Sequence, residues 1–207
     1  MTGYMPPAKS QDWQTPPALF DALDAEFGPF TCDPAAQIDQ YTAMTVLNRG
    51  GLICIPPDAP LHDDEWHLQV YRDGLAHDWS GRVYLNPPYG REMPKWIAKA
   101  VAEVEAGNCE LVCALIPART DTKAWQTYIL NQFVRPFEEN WTGGEFHEQL
   151  SLVRFLPGRV KFSGHKDPAP FPSAVVVWQK SQWQQDQEDV EAVADMIEGR
   201  SALDANL

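Results

Sequence analysis

Leu111-Val112-Cys113-Ala114-Leu115-Ile116 is an unbroken apolar run that stops at Pro117. A strand wetted on one face alternates apolar and polar side chains, so a run without alternation belongs to a strand covered on both faces. That puts it inside a parallel sheet with helices on either side and limits the chain to an α/β layout. Val83-Tyr84-Leu85 reads as a second buried strand and Phe30-Thr31-Cys32 as a short third one. A helix is predicted from about Met93 to Ala106, with Trp96, Ile97, Ala100, Val101 and Val104 at helical spacing and Gly107 as its stop. An earlier helix follows Thr15-Pro16-Pro17, keeps Leu19, Leu23 and Phe27 on one face, and ends at Gly28-Pro29. Thr122 to Phe133 also reads as helical. Leu152–Phe155, Val160–Phe162 and Ala174–Trp178 are expected strands, with turns at Pro157-Gly158 and around Pro168–Pro172. Gln37 to His77, broken by Gly50-Gly51, Pro56-Pro57 and Pro60, reads as loops and short helices. Strands alternating with helices early, and strands clustered late, predict a mostly parallel sheet with an antiparallel edge.

The 207 residues divide into three parts. Residues 1–12 are proline-rich and polar and are expected to be disordered. Residues 13–180 make one domain, and 181–207 form an acidic tail. In that tail Val190, Val193, Ala194 and Ile197 fall on one face of an amphipathic helix suited to covering a core or joining two copies. No apolar run nears the roughly 18 residues of a membrane span, and the opening residues lack the pattern of a signal peptide, so a cytosolic protein is expected. Cys32, Cys54, Cys109 and Cys113 form no CxxC pair and read as reduced core residues, with neither a disulfide nor a metal expected. A formal charge of −13 argues against a strong, sequence-independent grip on DNA phosphates. The charge is uneven, however: the tail is acidic, whereas basic residues outnumber acidic ones between Pro117 and Lys166.

Asn86-Pro87-Pro88-Tyr89 directly follows the strand at Val83–Leu85. Pro87 and Pro88 lack backbone N–H groups, so the segment offers acceptors and few donors. An asparagine side-chain oxygen beside a rigid proline carbonyl accepts both hydrogens of an exocyclic amino group, and Tyr89 can stack on the attached ring. Open α/β sheets bind ligands at the carboxyl ends of their strands. Asp33-Pro34-Ala35-Ala36, Asn86–Tyr89 and Pro117-Ala118-Arg119-Thr120 all fall at such ends.

These segments, in order, resemble the phage-type DNA adenine-N6 methyltransferase (Dam) family. The resemblance rests on Trp13-Gln14-Thr15-Pro16-Pro17, Asp33-Pro34-Ala35-Ala36, Asp78-Trp79-Ser80-Gly81-Arg82 running into Asn86-Pro87-Pro88-Tyr89-Gly90, Leu115 to Thr122, Gly158 to Phe162, and Pro170-Phe171-Pro172-Ser173. It implies a Rossmann-like methyltransferase fold, S-adenosylmethionine as cofactor and double-stranded DNA as partner, with a phage or prophage origin. It assigns Asn86, Pro87, Pro88 and Tyr89 to catalysis. Thr15 and Pro16 fall at the cofactor's carboxylate end, and Asp33, with Pro34 and Ala35, faces its methionine amino group. Asp78 or the competing Asp73 would face its adenine. Taken without the resemblance, Thr15 reads as a helix cap and Asp33 as an Asx turn. Ala35-Ala36 stands where a glycine-rich turn is expected of methyltransferases more broadly. Arg119, Lys123, Arg159 and Lys161 are the candidate phosphate contacts, with a solvated surface position as the alternative for each, and Phe155 or Phe162 offers either a second wall for the base or, as the commoner role, core packing.

Under this reading the target base is flipped out of the duplex at a cost of about a few kcal/mol. Hydrogen bonds to Asn86 and Pro87 draw the amino lone pair out of ring conjugation for in-line attack on the methyl group. Cytosine-N4 and glutamine-amide methylation share this acceptor logic. A reading from a different class is an acidic, non-catalytic binding protein or nucleic-acid mimic on the same fold. The sequence specifies neither the recognition site nor the oligomeric state.

Overall fold

The computed structural model describes residues 13–37, 40–59, 69–130 and 150–180. Its core is a seven-stranded sheet in the order β3-β2-β1-β4-β5-β7-β6. The strands are β1 (Cys32–Asp33), β2 (Leu52–Ile55), β3 (Val70–Arg72), β4 (Gly81–Leu85), β5 (Cys109–Pro117), β6 (Leu150–Phe155) and β7 (Ser173–Gln179). β1 to β5 pair in parallel, β7 runs antiparallel to β5, and β6 runs antiparallel to β7. This is a mixed α/β sheet with an antiparallel edge, as the sequence pattern predicts, and it is compatible with a Rossmann-like fold.

The apolar run in β5 is covered on both sides. Leu111, Cys113 and Leu115 join a core with Phe20, Phe30, Val46 and Tyr84 beneath α1 (Pro17–Phe27) and α2 (Tyr41–Asn48). Val112, Ala114 and Ile116 join the opposite core with Trp96, Ile97, Val101 and Trp178 beneath α3 (Met93–Glu105). Strict alternation of side chains along the strand produces that division. Asp24 locks α1 to its neighbours: both its oxygens accept from Arg49 at 2.7 Å, and one also accepts from the Phe30 amide at 2.8 Å. All four cysteines are free and buried, and burial pushes the Cys54 and Cys109 thiols up to about 12. Among the described residues no helix is long and apolar enough to cross a membrane.

Three local expectations are corrected. Gln37–His77 holds not only a helix, α2, but two strands, β2 and β3. Val160–Phe162 is not a strand. Its neighbours bond to loops instead, with Ser163 N donating to the Gln14 carbonyl and Ala169 N to that of Val160, both at 2.8 Å. The expected helix from Thr122 shrinks to one turn, α4 (Lys123–Trp125), followed by a wider π-type turn at Gln126–Leu130, and residues 131–133 lie outside the described residues. So do residues 1–12 and the expected acidic tail helix.

Gly107, at φ 76°, turns the chain from α3 into β5, and a Cβ there would meet only the flexible end of Lys180, at 3.1 Å. Gly107→Ala is therefore expected to cost about 1 kcal/mol from backbone strain alone. Urea denaturation checks this, and the core packing predicts an unchanged m-value.

Candidate functional site

In sequence the strands step outward from β1 to β3 on one side and from β4 to β6 on the other. The crevice of such a sheet opens where that order reverses, outside the carboxyl ends of β1 and β4. The segments following β1, β4 and β5 all emerge at this edge. The β6–β7 connection joins them, because β7 reverses against β5 and β6 reverses again.

A cleft of about 510 Å³ lies along this edge, with Pro34, Ala35, Asp73, Gly74, Pro88 and Glu92 among its walls. Gly74 is needed for its shape, because a Cβ at this position would stand 1.9 Å from the Pro34 carbonyl oxygen. Asp73 follows β3 at φ 57°, a left-handed conformation that Asp tolerates, and its Oδ1 accepts from the Leu75 amide at 3.1 Å. Of the two acids proposed for the cofactor's adenine, Asp73 lines the cleft; Asp78 is exposed and lies outside its lining.

Asp33 is 2% exposed, one residue before the cleft wall. Burial pushes its carboxyl up to about 7, against hydrogen bonds from Thr42 and from the Ala35 amide at 3.3 Å that favour the charged form. The Ala35 bond is that of an Asx turn.

Asn86 leaves the end of β4 with its side-chain amide held in one orientation. Its Nδ2 donates to the Trp13 carbonyl at 2.5 Å and to Thr15 Oγ1 at 3.1 Å, and Thr15 Oγ1 lies 2.6 Å from the buried Tyr84 hydroxyl. A carbonyl only accepts, so the amino end must face Trp13. Asn86 Oδ1 then points elsewhere, buried and without a partner among the described residues. Leaving a buried acceptor unpaired costs about 1–3 kcal/mol, which makes it a candidate for a ligand's donor. Thr15 thus serves Asn86 and Tyr84 and does not cap the helix; the cap position is Pro16, whose carbonyl accepts from Leu19 N at 3.0 Å and Phe20 N at 3.1 Å. No backbone hydrogen bond among the described residues ends on the Pro87 carbonyl, whereas that of Pro88 accepts from Gly90.

Tyr89 is half-buried, and its hydroxyl donates to the Leu115 carbonyl at 3.1 Å. Its ring meets Phe171 and Phe162 edge-on at 5.4 and 6.0 Å and lies nearly parallel to Trp13 at 6.5 Å. Of the two candidates for a second aromatic wall, Phe162 is the one that reaches Tyr89, and it is buried in the core. Phe155 is 55% exposed and stacks on Trp125 instead. Arg119 and Lys123 lie exposed after β5, and Arg159 and Lys161 lie exposed on the β6–β7 connection that carries Phe162. The tetrapeptide thus divides its duties, with Pro88 in the cleft wall and Asn86 and Tyr89 against the aromatic cluster.

Sequence reasoning gave no site role to Gly74, Glu92 or Phe171, and it named Trp13 only within a motif. Their functions depend on contacts with residues distant in the chain. No model of a known protein family matches this chain, and no curated protein matches it significantly.

The Asp33 environment predicts a pH dependence. A carboxyl raised from 3.8 to about 7 keeps its proton in the folded state over a range where the unfolded chain has lost it. Its contribution to stability is fully present below about pH 4 and is lost as pH rises through about 7. Asp33→Asn should abolish that part of the decline, read as the difference between wild-type and variant urea midpoints across pH 4 to 8.

Proposed function

We propose that this protein is an S-adenosylmethionine-dependent DNA methyltransferase that modifies the N6 amino group of adenine. The carrying observation is Asn86 Oδ1, a buried acceptor without a partner, whose amide is fixed by the Trp13 carbonyl and Thr15. A buried acceptor beside a proline carbonyl suits a ligand that brings a planar amino group. The resemblance to the phage-type adenine methyltransferases supports adenine, and the exposed Arg119, Lys123, Arg159 and Lys161 at the same edge support a nucleic-acid substrate.

The cleft suits the cofactor. Pro34, Ala35 and Pro88 give apolar walls for a flat ring, Gly74 lets its loop close against the Pro34 carbonyl, and Asp73 in the wall favours a cation. When bound, S-adenosylmethionine supplies an electrophilic methyl group on a positively charged sulfur. Asn86 Oδ1 and the Pro87 carbonyl accept the two N6 hydrogens and so favour a lone pair directed out of the ring plane. Tyr89 stacks on the flipped base, worth about 1–3 kcal/mol, and this offsets part of the flipping cost. The closed aromatic cluster excludes water from that amino group.

Transfer of labelled methyl from S-adenosylmethionine to unmethylated duplex DNA tests the reading. The expected result is label on adenine N6, reduced roughly 10²–10³-fold in Asn86→Ala, with cofactor affinity little changed. Label on cytosine N4 or on protein glutamine would reassign the substrate. An absence of transfer to any acceptor, together with no cofactor binding by calorimetry, would leave the non-catalytic binding protein.

Gly74→Ala should weaken S-adenosylmethionine binding at least tenfold in the same calorimetry, because the added methyl group collides with the Pro34 carbonyl in the cleft wall.

A further inference from the structure

Among the described residues three buried side-chain polar atoms lack a hydrogen-bond partner: Trp13 Nε1, Asn86 Oδ1 and Ser173 Oγ. The first two are opposite in kind, since an indole N–H only donates and an amide oxygen only accepts. They also lie in one cluster. The Trp13 carbonyl receives Asn86 Nδ2, and the Trp13 ring lies 6.5 Å from that of Tyr89, three residues after Asn86.

Trp13 is firmly held. It is 9% exposed, stacked on His165 at 4.3 Å, and met edge-on by Phe162 at 5.3 Å and Phe171 at 5.2 Å. A tryptophan this enclosed ordinarily finds a partner for its N–H, as Trp79 does with the Gly74 carbonyl and Trp125 with that of Pro117. Trp13 does not.

We infer that Trp13 Nε1 donates to ring nitrogen N1 of the target adenine while Asn86 Oδ1 accepts from its N6 amino group. The inference rests on the amino-methylation reading above and adds a recognition residue to it. An unpaired donor and an unpaired acceptor in one cluster match an amidine-like fork, in which an amino group and an unprotonated ring nitrogen share one carbon. Adenine presents that fork at N6 and N1. Guanine and thymine present the reverse, a carbonyl oxygen beside a ring N–H, and would leave both protein groups facing their own kind. Cytosine presents the same fork at N4 and N3, so the pair selects aminopurine and aminopyrimidine edges, and pocket size must separate the two. Donation to N1 draws electron density into the ring and does not assist attack by N6, so Trp13 acts in recognition and positioning.

The test pairs a base analogue with a variant. Duplexes bearing the methylated site, with the target adenine replaced by 1-deazaadenine or 7-deazaadenine, are compared as substrates for wild type and Trp13→Phe. Removing N1 should lower the wild-type kcat/KM about 10–100-fold, since it leaves a buried donor unpaired, and should lower that of Trp13→Phe by no more than about twofold. Loss of the Watson–Crick bond in the 1-deaza duplex acts on both proteins alike and cancels in the comparison. Removing N7 should affect both proteins equally. Equal 1-deaza penalties in the two proteins would overturn the inference, as would a differential penalty at N7. So would a wild type indifferent to 1-deazaadenine, a result that needs no variant to fold. Wild-type transfer to unmodified DNA separates the cases: with transfer but no differential penalty only the Trp13 pairing falls, and without transfer the function falls with it.

Discussion

The hydrogen bonds from Asn86 Nδ2 to the Trp13 carbonyl and Thr15 Oγ1 hold the candidate site together. They tie the segment before α1 to the end of β4, 73 and 71 residues away in sequence. Through Thr15 they reach the Tyr84 hydroxyl inside the core, so the amide is braced from beneath. A neutral side-chain hydrogen bond contributes only about 1 kcal/mol to stability, but here two such bonds settle which end of the amide is spare. With the amino group engaged, the oxygen is left as the free acceptor. The proposed chemistry depends on that asymmetry.

The sheet makes the tether effective by delivering each part to one edge. Parallel pairing of β1 to β5 places Asp33, Asp73, Asn86 and Arg119 at strand ends that share a direction. Antiparallel β7 then returns the chain so that the β6–β7 connection, with Phe162 and Phe171, crosses the same edge. The result is two adjoining environments, an apolar cleft with carboxylates along β1 to β4 and a closed aromatic cluster over Asn86. Pro87 and Pro88 separate them on a backbone with few conformational options.

Much of this layout was legible in the chain because it rests on local chemistry. The unbroken apolar run required a doubly covered strand, and β5 is one. The proline-led start of α1 and the helical spacing between Met93 and Val104 also appear where the pattern places them. β2 and β3 were missed, although Leu52–Ile55 is four apolar residues after two glycines. With three or four residues each they owe their extended form to pairing with neighbours, and their period is too short to read. Val160–Phe162 misled in the opposite direction: its alternation fits a strand, but Phe162 is drawn into the aromatic cluster and the flanking amides bond to loops.

The sequence by itself determined the class of sheet, the strand ends at which the candidate segments fall, and the acceptor-rich tetrapeptide there, because periodicity and proline chemistry act within a few residues. Only the tertiary structure decided that Thr15 braces Asn86, that Asp73 and not Asp78 lines the cleft, and that Phe162 and not Phe155 reaches Tyr89. It alone left Trp13 Nε1 and Asn86 Oδ1 unpartnered in the same cluster. Whether a polar atom is satisfied depends on every group that packs around it, and those groups come from segments that the chain order keeps far apart.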